Sequence, residues 1–272
     1  MKTKEILVVN DDGVHSPGLL ALKKKMDELG KVSVVAPEKE RSGMGKAVST
    51  CLIEVKETQL ADGGKAYAIS GTPADACLLA LFKILQHPPN LVVSGINLGP
   101  NLGIDDLLTS GTLGAALEAA IHGIPAIAVS YSLKRITDRE GKVHANIRVE
   151  SLEFCAELAK QTAKYVLTNG MPKDVDVISI NVPENPTSRT VKVTSLSYKG
   201  YTDIFAEKTG GYQIRGWFLE DYPYDEAETD THAIRENNYA SVTPIKLNFT
   251  HQKRNMKELA KFLNERSYDV IF

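Results

Sequence analysis

The chain has 272 residues, 43% hydrophobic and 24% charged, and its formal net charge is -2. That length can bury a substantial core, as one large domain or two small ones, and the composition excludes a disordered chain. So small a net charge, with basic residues scattered, gives no general attraction for long polyanions, and nucleic acid is not an expected partner.

Cys51, Cys77 and Cys155 are an odd set without C-x-x-C spacing. Neither a disulfide scaffold nor a zinc site is expected, and each reads as a buried small hydrophobe. No stretch approaches the roughly 20 apolar residues of a membrane span. Met1-Lys2-Thr3-Lys4-Glu5 leads straight into a short strand rather than a signal-peptide apolar region, so the expected location is cytoplasmic.

The first element is the apolar run Ile6-Leu7-Val8-Val9, which reads as a strand buried on both faces and ends in Asn10-Asp11-Asp12-Gly13. Two adjacent carboxylates thus stand at the carboxyl end of a strand, where open α/β sheets bind ligands. A divalent cation would relieve their repulsion. A helix cap by one Asp, with the other solvated, accounts for the pair equally well. Pro17 opens the following helix, with Leu19, Leu22, Met26 and Leu29 at helical spacing and Gly30 as its stop. A second strand is expected at Val32–Ala36, then a polar loop from Glu38 to Lys46 that contains Ser42. Cys51–Val55 and Ala66–Ser70 read as paired strands around the Ala61-Asp62-Gly63-Gly64 turn.

Thr72 caps a helix running to Leu85, with Pro73 at its first position. Leu91–Ile96 is the next strand, followed by a loop rich in Gly and Asn. Ser110-Gly111-Thr112 opens a small-residue helix, Leu113 to His122, and Pro125–Ser130 is a further strand. Leu152, Cys155, Ala159, Ala163 and Val166 form one stripe of a helix over about Leu152–Leu167, and Asp176–Val182 is again a strand. Alternating strands and helices predict an α/β fold with a doubly wound, mainly parallel sheet, Rossmann-like and three-layered.

Beyond Val191 the texture changes. Val191-Lys192-Val193 and Tyr212–Trp217 alternate as hairpin strands do, and a closing helix is expected from Asn255 to Arg266. The segment from Tyr198 is rich in rings, among them Tyr201, Phe205, Tyr212, Trp217, Phe218 and Tyr222. The expectation is one α/β domain over residues 1–272, with a core to about 190 and a C-terminal hairpin arm plus helix over 191–272. Such an arm must bury its rings against something, and a neighbouring subunit is the favoured partner over its own domain.

Asp11 and Asp12 follow the first strand, Ser42 the second, and Asn97 the strand at Leu91, so all reach one edge of a parallel sheet. Two carboxylates, a hydroxyl and an amide carbonyl are an oxygen-only set, suited to Mg²⁺, Mn²⁺ or Ca²⁺ and poor for zinc. Taken together they favour the metal over the cap. Asn101 adds a neutral donor, and the helix start at Ser110-Gly111-Thr112 offers free N–H groups to a phosphate. His15 lies just beyond the carboxylate pair, within reach of the site, but a surface place at the helix start is the favoured reading. His122 fits a helix C-terminus, and His87, His144, His232 and His251 sit in polar contexts that mark no catalytic base.

Several ordered runs carry a family resemblance: Val9-Asn10-Asp11-Asp12-Gly13, Arg41-Ser42-Gly43, Ser70-Gly71-Thr72-Pro73-Ala74-Asp75, and Ser94-Gly95-Ile96-Asn97-Leu98-Gly99-Pro100-Asn101 through Ser110-Gly111-Thr112. Over roughly residues 5–130 the chain resembles the SurE family, the survival-protein nucleotidases, and Ser241-Val242-Thr243-Pro244 resembles that family's closing strand. The resemblance implies a phosphatase that needs one divalent cation per subunit (Mg²⁺ or Mn²⁺) and acts on nucleoside 5′-monophosphates, with 3′-monophosphates and short polyphosphate as further substrates. It implies Asp11, Asp12, Ser42 and Asn97 as metal ligands, and Asn101, Ser110, Gly111 and Thr112 on the phosphate side. It also implies a homodimer or homotetramer built through the C-terminal extension. The family often has Tyr where this chain has Thr109, a departure in the pocket lining.

The expected chemistry is attack by a metal-activated water, with Asp11 or Asp12 as proton acceptor and Asn101 and the helix start steadying the phosphoryl oxygens. A phosphatase with an aspartyl-phosphate intermediate is the nearest enzyme rival, and its D-x-D-G-T pattern is absent. A non-catalytic phospho-receiver or nucleotide-binding module using the same acidic pocket is the rival from another class. The receiver needs an acceptor Asp where this chain has Asn97, and no G-x-G-x-x-G follows a strand.

Overall fold

The computed structural model describes residues 3–133, 149–201, 203–214, 224–250 and 253–266. Its strands are β1 (Glu5–Val9), β2 (Lys31–Pro37), β3 (Val55–Gln59), β4 (Lys65–Ile69), β5 (Leu91–Leu98), β6 (Ala126–Ser132), β7 (Val177–Pro183), β8 (Val191–Val193), β9 (Phe205–Lys208), β10 (Gly211–Ile214) and β11 (Ala240–Ile245). Nine of these form one sheet in the order β3-β4-β2-β1-β5-β6-β7-β11-β8. It is mainly parallel: β3 on β4 and β11 on β7 are the antiparallel pairs.

β1 lies inside the sheet, between β2 and β5, and shows why the core has two halves. Successive side chains alternate, so Ile6 and Val8 join one cluster while Leu7 and Val9 join the other. On the first face lie α1 (Pro17–Asp27) and α5 (Glu153–Asn169), which bury Leu19, Leu22 and Met26 beside the predicted stripe Cys155, Ala159, Ala163 and Val166. Against the second face pack α2 (Pro73–Leu79), which runs on as a π-helical turn over Ala80–Ile84, and α4 (Gly111–Ile121). The expected three layers are therefore present. Between β5 and α4 sits a further short helix, α3 (Gly103–Thr109), and late in the chain follow α6 (Asp230–Arg235) and α7 (Lys257–Asn264).

Several local expectations change. β3 begins at Val55 rather than Cys51, because the turn from Leu60 to Gly64 pairs Gln59 with Lys65 and so sets the register. Cys51 is accordingly exposed, whereas Cys77 and Cys155 are buried as expected. Burial pushes the Cys77 thiol up to about 12, so it stays protonated. Val191–Val193 is not a hairpin strand; it pairs parallel with β11 at the sheet edge. The hairpin that does form is β9 with β10, and Ile214 is its last described residue. Arg215, Trp217, Phe218 and Tyr222, like His144 and His251, lie outside the described residues. The closing helix starts at Lys257, after a 3₁₀ turn over Lys253–Met256.

α1 meets β5 with no side chain between them at Gly18, where an added Cβ would lie 2.0 Å from the Ile96 carbonyl oxygen. That contact holds the start of α1, and the carboxylate turn before it, against the strand bearing Asn97. Gly18→Ala is therefore expected to lower the melting temperature by roughly 3–10 °C, as overpacking does in a domain of this size. Gly211→Ala, which meets open space, serves as the control and should leave it unchanged within about 1 °C.

Candidate active site

β2, β1 and β5 are adjacent and parallel, so their carboxyl ends open together on one edge. At the end of β1 the buried Asn10 Nδ2 donates to the Gly13 carbonyl at 2.9 Å and to Ser16 Oγ at 2.8 Å. Ser16 Oγ in turn accepts from Leu19 N and caps α1. Gly13, at φ +103°, takes the sharp turn that this arrangement needs. The carboxylates between Asn10 and Gly13 are held from both sides.

Asp12 Oδ2 accepts from Leu98 N, at the end of β5, at 2.9 Å. Asp11 is buried, and its Oδ1 accepts from Thr112 Oγ1 at 2.5 Å while its carbonyl accepts from Arg41 N. One residue thus ties β1 to the first turn of α4 and to the loop after β2. Burial lifts the Asp11 carboxyl to about 6; the Thr112 hydroxyl opposes that rise, and the nearby charge of Glu40 adds to it. Among the described residues no basic side chain forms an ion pair with Asp11.

Asp11, Ser42, Asn97, Asn101 and Ser110 line a single cleft of about 40 Å³. Asn97 Nδ2 donates to the Gly99 carbonyl at 2.9 Å, where the β5–β6 register shifts between Ser94 and Asn97. Ser42 is exposed, and its hydroxyl donates to Glu40 Oε1 at 2.5 Å. Ser110 is the N-cap of α4, accepting from Leu113 N. Thr112 is fully buried with its hydroxyl on Asp11, so it serves the carboxylate directly. Gly111 presses on the same group: a Cβ there would lie 2.8 Å from the Asp11 Cβ and 3.0 Å from Pro73 Cγ. Any side chain at Gly111 would disturb the carboxylate and the phosphate side together.

Asp106 and Thr109 also line the cleft, and the carboxylate of Glu40 lies beside it. Asp106 sits on α3, a helix hidden inside what reads as a loop, and its Oδ2 accepts from Leu102 N at 2.6 Å. Glu40 lies in the polar stretch with Ser42, and nothing in its spacing singles it out. Among the described residues no three His, Cys, Asp or Glu side chains gather as a metal group. The donors are instead two carboxylates, an amide and a hydroxyl, a mixed oxygen set that a hard cation accepts. Asp11 also lacks a basic partner among the described residues, so the residues fit such a cation.

The family model described as Survival protein SurE matches residues 6–203. The chain belongs to the SurE family. A relative named 5′-nucleotidase SurE from Methanobrevibacter smithii is 36% identical over 260 residues, which cover 94% of this chain and 99% of that one. Another of that name, from Methanococcus maripaludis, is 41% identical over 254 residues, covering 91% and 94%. The crystal structure of the SurE protein from Aquifex aeolicus aligns with a TM-score of 0.73 at 33% identity, over 96% of this chain and 99% of that chain. No helix among the described residues is long and apolar enough to cross a membrane.

The buried Asp11 makes a prediction for the metal-free protein. Its folded pKa lies above the ordinary carboxyl value of 3.8, so the fold favours the protonated form. Stability is complete below the unfolded pKa and falls as pH rises toward about 6. Asp11→Asn keeps an acceptor for Thr112 and removes that loss. In chelator at neutral pH the variant should melt higher than the parent by about 3–6 °C, and near pH 4 the two should converge. Equal melting temperatures at neutral pH would show that Asp11 is not strained by its burial.

Proposed function

We propose that this chain is a divalent-metal-dependent phosphomonoesterase that hydrolyses nucleoside 5′-monophosphates, with 3′-monophosphates and short polyphosphate as secondary substrates. The observation that carries this reading is the single cleft shared by Asp11, Ser42, Asn97, Asn101 and Ser110. The 5′-nucleotidase name borne by relatives that match over nearly the whole chain supports the substrate class.

In this reading Asp11, Asp12, Ser42 and Asn97 hold one Mg²⁺ or Mn²⁺ per subunit. A hard cation held there supplies charge neutralisation at a phosphoryl oxygen and a more acidic water. The protein's own share is placement. The Thr112 hydroxyl fixes one Asp11 oxygen, and the Leu98 amide fixes one Asp12 oxygen. The start of α4 at Ser110-Gly111-Thr112 offers backbone N–H groups and a partial positive charge to the phosphate. Asn101 donates to a phosphoryl oxygen, and one of the two carboxylates accepts the proton of the attacking water.

Phosphate release should be measured over nucleoside 5′-monophosphates, their 3′ isomers, short polyphosphate and an aryl phosphate, with Mg²⁺, Mn²⁺ or chelator. Release is expected from the 5′-monophosphates, to stop in chelator and to return on adding metal. Asp12→Asn should lower kcat/KM by roughly 100-fold or more, since even outer partners of a metal cost that much. Turnover that survives chelation, or a fully active Asp12→Asn, would overturn the metal reading.

The same reading extends to assembly: a homodimer or homotetramer joined through the C-terminal arm. β9 and β10 pair only with each other among the described strands, and they expose Phe205, Tyr212 and Ile214. A lone two-stranded hairpin is marginal in water, so those side chains need a cover. Light scattering at low micromolar concentration is expected to give at least twice the 29.7 kDa chain mass. A clean monomer with full activity would mean that the arm folds back on its own chain.

A further inference from the structure

Asn101 lies in the loop after β5, outside any strand, yet both of its main-chain groups are paired by one side chain. Asn101 N donates to Asn181 Oδ1 at 2.9 Å, and Asn181 Nδ2 donates to the Asn101 carbonyl at 2.9 Å. The carboxamide of Asn181 imitates the edge of a strand and holds the loop as a neighbouring backbone would. The Asn101 side chain is fixed separately, since its Nδ2 donates to Ser130 Oγ at 2.8 Å.

Asn181 sits in β7 between Ile180 and Val182, in a strand that is buried along its whole length. An apolar residue would suit that position better unless the amide had polar work to do. Asn181 pairs in register with Ser130 of β6, and Ser130 pairs with Asn97 of β5. One buried polar row therefore runs beneath the loop, from the proposed cation ligand Asn97 to the residue that grips Asn101. Asn97 lines the cleft, whereas Ser130 and Asn181 stand behind it, so Asn181 does not face substrate there.

We infer that Asn181 is a positioning residue for phosphoryl transfer: it sets where Asn101 presents its amide, while Ser130 sets how that amide is turned. The inference rests on the reading of Asn101 as a donor to the phosphate. Losing the two bonds frees the Asn101 backbone to shift, and a small misplacement of a group aimed at developing charge weakens transition-state binding more than substrate binding.

The test is a kinetic cycle on the full chain with saturating Mn²⁺ and a nucleoside 5′-monophosphate: Asn101→Ala, Asn181→Ser and the double variant, each with its melting temperature. Asn101→Ala should lower kcat roughly 100-fold, as removal of one preorganised donor does. Asn181→Ser should lower kcat roughly 10-fold with KM little changed, by displacing the same donor. The double variant should be no slower than Asn101→Ala, because Asn181 has nothing left to position. Losses that multiply in the double variant would overturn the inference and leave Asn181 a general support of the fold. Wild-type kcat in Asn181→Ser would overturn it too. Wild-type kcat in Asn101→Ala would instead remove Asn101 from the chemistry, and the inference with it. Should Asn181→Ser fail to fold, Ser130→Ala carries the same cycle: its loss must vanish in the Asn101→Ala background, and a loss that persists there overturns the inference.

Discussion

A carboxylate buried at the end of β1 is the constraint around which this structure is arranged. Asp11 is only 4% exposed, and taking its charge out of water is unfavourable unless something else meets it. β1 delivers it there because both faces of that strand are covered by helices, so the strand's end emerges deep rather than at the surface. One hydrogen bond, from Thr112, then joins the carboxylate to α4. The absence of a side chain at Gly111 lets the helix come close enough to make that bond. Strand, helix start and carboxylate are parts of one contact.

The loops that bear the other candidate ligands are held as firmly as the scaffold. Gly45 N donates to the Thr109 carbonyl, and Gly114 comes so near the Gly45 carbonyl that a Cβ there would lie 2.2 Å from its oxygen. Lys46 pairs with the buried Glu118 of α4, so the segment carrying Ser42 is pinned along the same helix that carries Thr112. Asp75 completes a capping box with Thr72 and also takes Ser49 Oγ at 2.6 Å, which fixes the far end of that segment. Binding residues on loops gain precision only when a rigid frame sets them, and here α4 is the frame for both sides of the cleft.

Much of this was legible in the chain itself. Ile6–Val9 with its terminal carboxylates, the stripe on α5, and the Ser110 cap each follow from a local pattern, and the structure keeps all three. The alternation of elements was enough to bring Asp11, Ser42 and Asn97 to one edge. What local patterns could not carry were contacts made across long separations. Thr112 reads as a phosphate donor, yet its hydroxyl is on Asp11, 101 residues away. Asn181 reads as one more residue of a buried strand, yet its partner is 80 residues distant. α3 is hidden partly for the same reason: its Gly- and Asn-rich start is capped locally, where Asp106 reaches back to Leu102 N, but it is anchored from far away, where Ile104 N finds the Ser197 carbonyl. β8 is only three residues long, and its place is set by β11 rather than by its own sequence.

The C-terminal third reaches the loop behind the cleft through Asp230. Its carboxylate accepts from Gly103 N at 2.9 Å, Ser197 N at 3.0 Å and Thr231 N at 2.8 Å. Burial pushes this carboxyl up, and the three backbone donors act against that rise. Gly103 opens α3 at φ +69°, two residues after Asn101. The loop on the phosphate side is thus gripped from two directions, by Asn181 of the central sheet and by Asp230 of α6. The family match ends at residue 203, while Asp230 and the strand β11 beside β7 lie beyond it. An extension that looked like an appendage for assembly therefore also holds, from behind, the loop that lines the cleft. Exchange of that region between subunits would have to preserve the Asp230 grip, which ties whatever the arm does at an interface to the order of the loop that carries Asn101.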